Sequence, residues 1–422
     1  MAELLISYGE VDITPHFPVD LVGYGDRVNP SLGILDPVFC TYLLFEGGGK
    51  KALLLSFDLL NFGGGLRARL YPRLRSLGFS EAEIFPIATH THSAPSTRDF
   101  PYMGSPDEKW LGDVAKKICQ AIREGKREGK KLRLGEGEVD IAVNRRTLEG
   151  WLPKRKEEGY VEKELSALFL DNLPLVNFTC HAVCLGGKNR FISADFPGRT
   201  RIYLKSFLNS PIVFMANGAA GDQNPKERGI YGLESTGRKL AEAVLEIEKK
   251  ANEVEGNAID YIHKIQSFPL ADPPSISQLR EFIAKQEEGI ETVSLPERIW
   301  RCSYIRWARD TMKKVEEGSY EREAKGKISL LRIGEIVFLF FPGEVFSEIG
   351  RKAREIVRER GFSPLIIGYY DRLVGYLPTA SAFEEGGYEV SDAYRWYGKP
   401  APFLPTVEDI ILQTVSDLLK KL

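Results

Sequence analysis

Residues 38–57 read VFCTYLLFEGGGKKALLLSF: two apolar runs, 38–46 and 51–57, joined by the glycine turn EGGGK. Short apolar runs bounded by a turn read as strands, and a glycine turn between two of them makes antiparallel neighbours. Further strands are predicted at 83–88, 174–180, 211–216, 328–341 and 364–370. Most are continuously apolar rather than alternating, which suits sheets covered on both faces. Helical patterns fall between them, at about 66–77, 109–127, 228–250, 276–288, 297–316, 344–360 and 406–421. In the last, Thr406 precedes Asp409 at capping-box spacing, and Ile410, Ile411, Val415, Leu418, Leu419 and Leu422 make an apolar face that should dock. Strands alternating irregularly with helices predict an α/β fold of mixed β-sheets sandwiched by helices. The charged stretch 251–326 reads as a helical insertion in a single domain spanning 1–422.

Composition narrows the function classes. With 57 Lys+Arg against 59 Asp+Glu, the chain of 422 residues has a net charge of −2 and no basic block suited to a nucleic-acid groove. The start, MAELLISYGEVDITPH, reaches Glu10 and Asp12 too soon for a secretory core, and no run of about 18 apolar residues could form a transmembrane segment. The five cysteines, Cys40, Cys119, Cys180, Cys184 and Cys302, are scattered and odd in number, as reduced thiols are. A cytoplasmic protein is expected.

Histidine is scarce, with five in the chain, yet His90 and His92 stand two apart in ATHTHSAPS, 88–96. After the apolar run IFPIA, an extended segment would point both side chains to one face at a strand end. Such a pair suits a metal or proton site, and equally a strand-to-loop junction with capping histidines. His181 closes the run LVNFTC and precedes AVCLGGKNRFISADFPG, a loop-like stretch rich in glycine and polar groups. A third histidine at a second strand end is what a cleft at sheet edges needs, although a core histidine bonded to backbone would look the same. His16 and His263 lack such context and read as structural. GAAGDQNP, 218–225, follows another strand, and its small residues allow a close backbone approach or a tight turn capped by Asp222. Glu344 in FPGE stands at a strand-to-helix corner near a positive helix end.

An ordered set of motifs then carries a resemblance. VDIT with GYG near the start, LLLSFDLLNF (53–62), ATHTHSAPS (88–96), AVNRR (142–146), FTCHAV (178–183), SADFPG (193–198), GAAGDQNP (218–225), PGE (342–344), GYLPT (375–379) and GGYE (386–389) together resemble the catalytic domain of the neutral, non-lysosomal ceramidases, over roughly residues 8 to 420. The resemblance implies that domain's fold and a zinc ion held by His90, His181, Glu344 and Tyr376. It also implies that His92, Arg145 and Tyr388 line the amide site as transition-state donors or proton carriers.

The chain departs from that pattern at the nucleophile. Where the family places a serine shortly before a Gly-Asp pair, this sequence reads FMANGAAGDQNP, with Asn217 and Gly218 at the matching positions. The family's secretory segment and carboxyl-terminal immunoglobulin-like domain are also missing from the sequence. The expectation is therefore a zinc-dependent hydrolase of a C–N amide bond in a small, lipid-like or other amide, with metal-bound water in place of the serine. His92 or Asp222 would move the proton, and backbone N–H groups of 217–222 or the Asn217 amide would turn toward the substrate carbonyl. The alternatives are a non-catalytic binding or sensor relative that kept the metal site, and a zinc hydrolase of a sugar-derived ester or lactone.

Overall fold

The glycine turn reverses the chain as expected: Phe39–Gly47 and Lys50–Phe57 pair antiparallel, from Cys40 opposite Phe57 to Gly47 opposite Lys50. The computed structural model describes residues 4–97, 100–147, 159–256 and 258–422. This hairpin sits in a five-stranded sheet ordered Ile84–Ala88, Lys50–Phe57, Phe39–Gly47, Leu5–Asp12, Glu128–Gly129. A second five-stranded sheet runs Phe214–Asn217, Leu173–Phe178, Glu164–Leu170, Leu132–Glu138, Asn252–Glu253. The third has four strands, Ile259–Pro269, Glu323–Ile333, Ile336–Phe340 and Ser363–Ile367.

Each sheet is antiparallel except at one edge, where the last two strands are parallel. A parallel pair needs a crossover, and in each case a helix supplies it: Gly64–Ser76, Asp195–Leu208 or Ser347–Arg358. The inner faces of the three sheets meet in one core, with Phe45, Leu54 and Phe85 from the first, Leu168, Leu175 and Phe214 from the second, and Leu331, Phe338 and Leu365 from the third. Helices cover the outer faces, so strands such as Lys50–Phe57 are buried along most of their length. That double cover is why their sequences are continuously apolar.

The parallel edges lean on one another at their carboxyl ends. The Ala88 N–H donates to the Tyr369 carbonyl at 3.2 Å, and the Gly368 N–H donates to the Asn217 carbonyl at 3.0 Å. Three strand ends from three sheets therefore open onto one point.

Several local expectations change. The run 328–341 is a hairpin, not one strand: Glu323–Ile333 turns at Gly334 into Ile336–Phe340. Gly334 has φ 58°, and a Cβ there would lie 1.6 Å from the Glu255 carbonyl oxygen, so only glycine fits the reversal. Within 251–326 the helices are Ile276–Glu287 and Leu295–Glu316, whereas Ile259–Pro269 is an eleven-residue strand. Part of the stretch read as loop after His181 is helix Asp195–Leu208. The last helix spans Val407–Leu419, without a side-chain cap from Thr406. Among the described residues no helix is long and apolar enough to cross a membrane.

Candidate metal centre

The strand Ile84–Ala88 ends two residues before His90, which takes the left-handed conformation, φ 65°, and is 1% exposed. The HTH segment is therefore not an extended continuation of the strand. His90 and His92 still converge, by a turn, with ring centroids 4.8 Å apart. The His90 Nδ1 lies 2.7 Å from the Leu60 carbonyl oxygen, and its ring stacks on Tyr369 at 4.1 Å. His181, three residues beyond Leu173–Phe178, has its Nδ1 2.6 Å from the Ala220 carbonyl oxygen. A ring nitrogen that near a carbonyl carries the proton, which leaves the lone pair on Nε2.

Both Nε2 atoms then face the same carboxylate oxygen. Glu344 Oε2 lies 3.2 Å from His90 Nε2 and 2.8 Å from His181 Nε2. Three lone pairs pointed at one another in a buried site repel, unless a positive centre stands among them. A single proton relieves one contact; one cation relieves all three. Burial favours a neutral Glu344 carboxyl, but His90 and His181 beside it outweigh that and hold it well below the usual carboxylate range. Burial also pushes the His181 imidazole down to about 4, against the pull of Glu344, so it is neutral at neutral pH as a metal ligand must be. Glu344 itself is not at a helix start. It lies in a two-residue parallel pairing, opposite Tyr376, three residues before helix Ser347–Arg358 begins.

His92 completes a group of three histidines whose ligand atoms all lie within 4.8 Å of one another. Neither of its ring nitrogens has a hydrogen-bond partner among the described residues. Burial, then His90 and His181, keeps its imidazole well below the ordinary range. Gly23 makes room for it, since a Cβ there would lie 2.5 Å from the ring. Tyr24 meets the ring edge-on at 5.0 Å, and Arg27 donates to the His92 carbonyl at 2.6 Å. This is the local purpose of the GYG motif.

Arg145 is buried, donates from Nε to Glu389 at 2.7 Å and lies 4.9 Å over the Tyr376 ring. Arg146 grips the other Glu389 oxygen at 2.6 Å, so the NRR and GGYE motifs are joined through one carboxylate. That anchors Tyr388, whose ring lies 5.9 Å from Tyr376. Burial raises the Tyr376 phenol well above its ordinary range, with Arg145 opposing.

Two expected roles change in this region. Asn217 does not aim its amide into the cleft. Its Nδ2 donates to the carbonyls of Thr89 and Cys180 at 3.2 and 2.9 Å, and its Oδ1 accepts from the Cys180 N–H at 3.3 Å. It ties together the residues immediately before His90 and His181. Asp222 does not line the pocket onto which His90 and His92 open. Its carboxylate accepts from the Ser347 N–H, the Ser347 hydroxyl and Asn144 Nδ2, at 2.9, 3.1 and 2.9 Å. Such a saturated carboxylate positions the PGE helix and the NRR strand; it is not free to carry protons. The small residues of GAAG serve close packing, because a Cβ on Gly221 would lie 2.3 Å from the Glu344 carbonyl oxygen.

Two tyrosines at the site have no counterpart in the sequence reading. Tyr397 donates its hydroxyl to Glu344 Oε1 in a short hydrogen bond, and Tyr369 lies against His90. Nothing sets them apart among 17 tyrosines in the sequence. His90, His92, Glu344, Tyr376, Tyr388 and Tyr397 open onto one pocket, walled further by Leu60, Phe100, Met103 and Trp396. Wider surface grooves exist, around Lys130 and around Lys264, but they lack convergent histidines.

Neither a protein-family model nor a curated protein sequence matches the chain. Solved structures do. The crystal structure of neutral ceramidase from Pseudomonas aeruginosa matches with a TM-score of 0.75 at 18% identity, over 99% of this chain and 74% of that one. A ceramidase complexed with C2 matches with a TM-score of 0.75 at 17% identity, over 100% of this chain and 76% of that one. At such identities the likeness is one of architecture. The chain has the neutral-ceramidase fold, and a histidine cluster able to hold a metal ion lies where its three sheets meet.

Proposed function

We propose that the protein is a zinc-dependent hydrolase of a C–N amide bond, acting in the cytoplasm without a side-chain nucleophile. The observation that carries this reading is the convergence of His90 Nε2 and His181 Nε2 on one oxygen of Glu344, a buried arrangement of lone pairs that a divalent cation completes. His90, His181 and Glu344 would hold the ion, with Tyr376, the strand partner of Glu344, as a fourth donor. When bound, zinc supplies Lewis acidity and brings the pKa of water to about 7.

The chain's own groups then divide the work. His92, uncharged and with both nitrogens unpartnered among the described residues, accepts a proton and returns it to the departing amine. Arg145, held by Glu389, presents fixed positive charge beside Tyr376, where negative charge develops on the substrate oxygen. Tyr388 closes that side and offers a hydroxyl. Tyr397 holds the second oxygen of Glu344 and so orients the carboxylate.

The test is elemental analysis of the purified protein, followed by assay of a panel of N-acyl compounds with and without a chelator. About one equivalent of zinc and amide cleavage that disappears on chelation and returns with zinc are expected. Metal-loaded protein that cleaves only esters or lactones, or nothing in the panel, refutes the amide reading.

A further inference from the structure

The pocket over the histidines has a volume of about 30 Å³. Pockets for drug-sized ligands run to roughly 300–1,000 Å³, and one water needs about 10–15 Å³ counted in the same way, so this one has room for about two or three non-hydrogen atoms, the size of an acetyl group. Its outer wall is aromatic, with Phe100, Trp396 and Tyr397 facing Tyr376 and Tyr388.

The wall is braced from behind by the helical hairpin Ile276–Glu316. Helix Leu295–Glu316 is pinned to both sides of the pocket. The Ser303 hydroxyl donates to the Tyr102 carbonyl at 3.0 Å, and Tyr102 donates to Asp310 at 2.9 Å, which fixes the strip bearing Phe100 and Met103. On the other side, Tyr304 donates to Asp392 at 2.6 Å and the Trp307 indole donates to the Lys399 carbonyl at 2.8 Å, which fixes the strip bearing Trp396 and Tyr397. Arg395 fills the seam, its guanidinium 4.8 Å from the Trp307 ring and 5.4 Å from the Tyr304 ring. Trp396 itself is trapped. Its ring lies 5.1 Å from Tyr304, and its far edge packs on Gly25, where even a Cβ would sit 2.1 Å away. Interlocked aromatic rings of this kind leave no slack for a side chain to swing aside.

Resting on the amide-hydrolase reading, we propose that the site takes small N-acyl compounds with short acyl chains, and that Trp396, locked between Gly25 and Tyr304, is the specificity-determining residue that shuts out a long chain. Tyr304 acts through Trp396 and touches no substrate, so it is a positioning residue.

The experiment uses zinc-loaded full-length protein and N-acyl ethanolamines with two-, six- and sixteen-carbon acyl groups, the longest presented in mixed micelles. Hydrolysis is measured alongside calorimetric binding of the corresponding carboxylates. The wild type is expected to favour the two-carbon amide over the sixteen-carbon amide by at least tenfold in kcat/KM. Trp396→Ala should raise the sixteen-carbon value at least tenfold with zinc content unchanged, and Tyr304→Ala should move it in the same direction. Trp396→Leu, which keeps apolar filling, serves if the alanine variant does not fold. Equal use of all chain lengths by the wild type, or folded, zinc-loaded variants with unaltered chain-length preference, overturns the proposal. If no amide of any length is cleaved, the hydrolase reading fails by itself. The carboxylates still decide the pocket: acetate binding with no hexadecanoate binding supports the small site, and hexadecanoate binding overturns it.

Discussion

His90 and His92 are two residues apart and differ in what their nitrogens do. His90 has one nitrogen committed to a carbonyl and the other aimed at Glu344, whereas both nitrogens of His92 are without partners among the described residues. His90→Ala should therefore yield protein poor in zinc. His92→Ala should keep its zinc and lose about 10²–10⁴-fold in turnover, as expected for a positioned proton carrier. Zinc content and kcat measured on both variants decide it, and equal loss of zinc would instead make the pair part of a three-histidine shell. Asn217 calls for a different test, because it stands where a serine nucleophile would be expected yet clamps two strand ends. Asn217→Ser should gain no activity on long-chain sphingoid amides and should lose about 1–3 kcal/mol of stability, since buried carbonyls lose their donor. Gly218→Ser should fare no better: a Cβ there lies 2.3 Å from the Thr179 hydroxyl. Denaturant melts and a ceramide assay check both, and strong ceramide cleavage by either variant would contradict the clamp.

At the scale of elements, the apolar runs were legible because burial on both faces leaves no other way to write a strand. The reading erred where a single residue outranked the pattern. Gly334 breaks one apolar run into a hairpin, and a strand with intermediate burial, Ile259–Pro269, lies in the same stretch as the charged helices that follow it. The histidine cluster was legible in residue type and motif order, but not in route: the i, i+2 argument for His90 and His92 fails because His90 is left-handed. Tyr397 and the aromatic brace from Ile276–Glu316 left no local signal, since their roles depend on contacts between remote segments. The strand Ile259–Pro269 also carries His263, whose two nitrogens meet Ser329 Oγ at 2.7 Å and the Ala82 carbonyl oxygen at 2.8 Å. Burial lowers its pKa, so the folded protein holds this imidazole neutral more firmly than the unfolded chain does. The stability it contributes is whole above about pH 6.5 and is lost as the pH falls below that, with a slope of at most about 1.4 kcal/mol per pH unit for one proton. Urea melts of wild type and His263→Gln between pH 7.5 and 5 should show the steeper decline in the wild type.

On the proposed zinc reading, the whole molecule would couple folding to the ion. A site that exists only in the native arrangement stabilises it by RT ln(1 + [L]/Kd), about 4 kcal/mol when free zinc exceeds Kd a thousandfold. Thermal melts should rise with added zinc and fall with chelator, and His90→Ala should be nearly indifferent to both. A melt that ignores zinc in the wild type would contradict a native metal site.

The meeting of three strand ends has a further consequence, for the order of events in folding. His181 and Glu344 are 163 residues apart in sequence, and His90, His181 and Glu344 each follow a strand of a different sheet. Loop closure over such spans precedes any reward from the ligands, so the ion cannot nucleate the chain as it does in a zinc finger. On the proposed reading it would act as a latch that catches only after all three sheets have docked. Zinc should accordingly slow unfolding while leaving the refolding rate nearly unchanged.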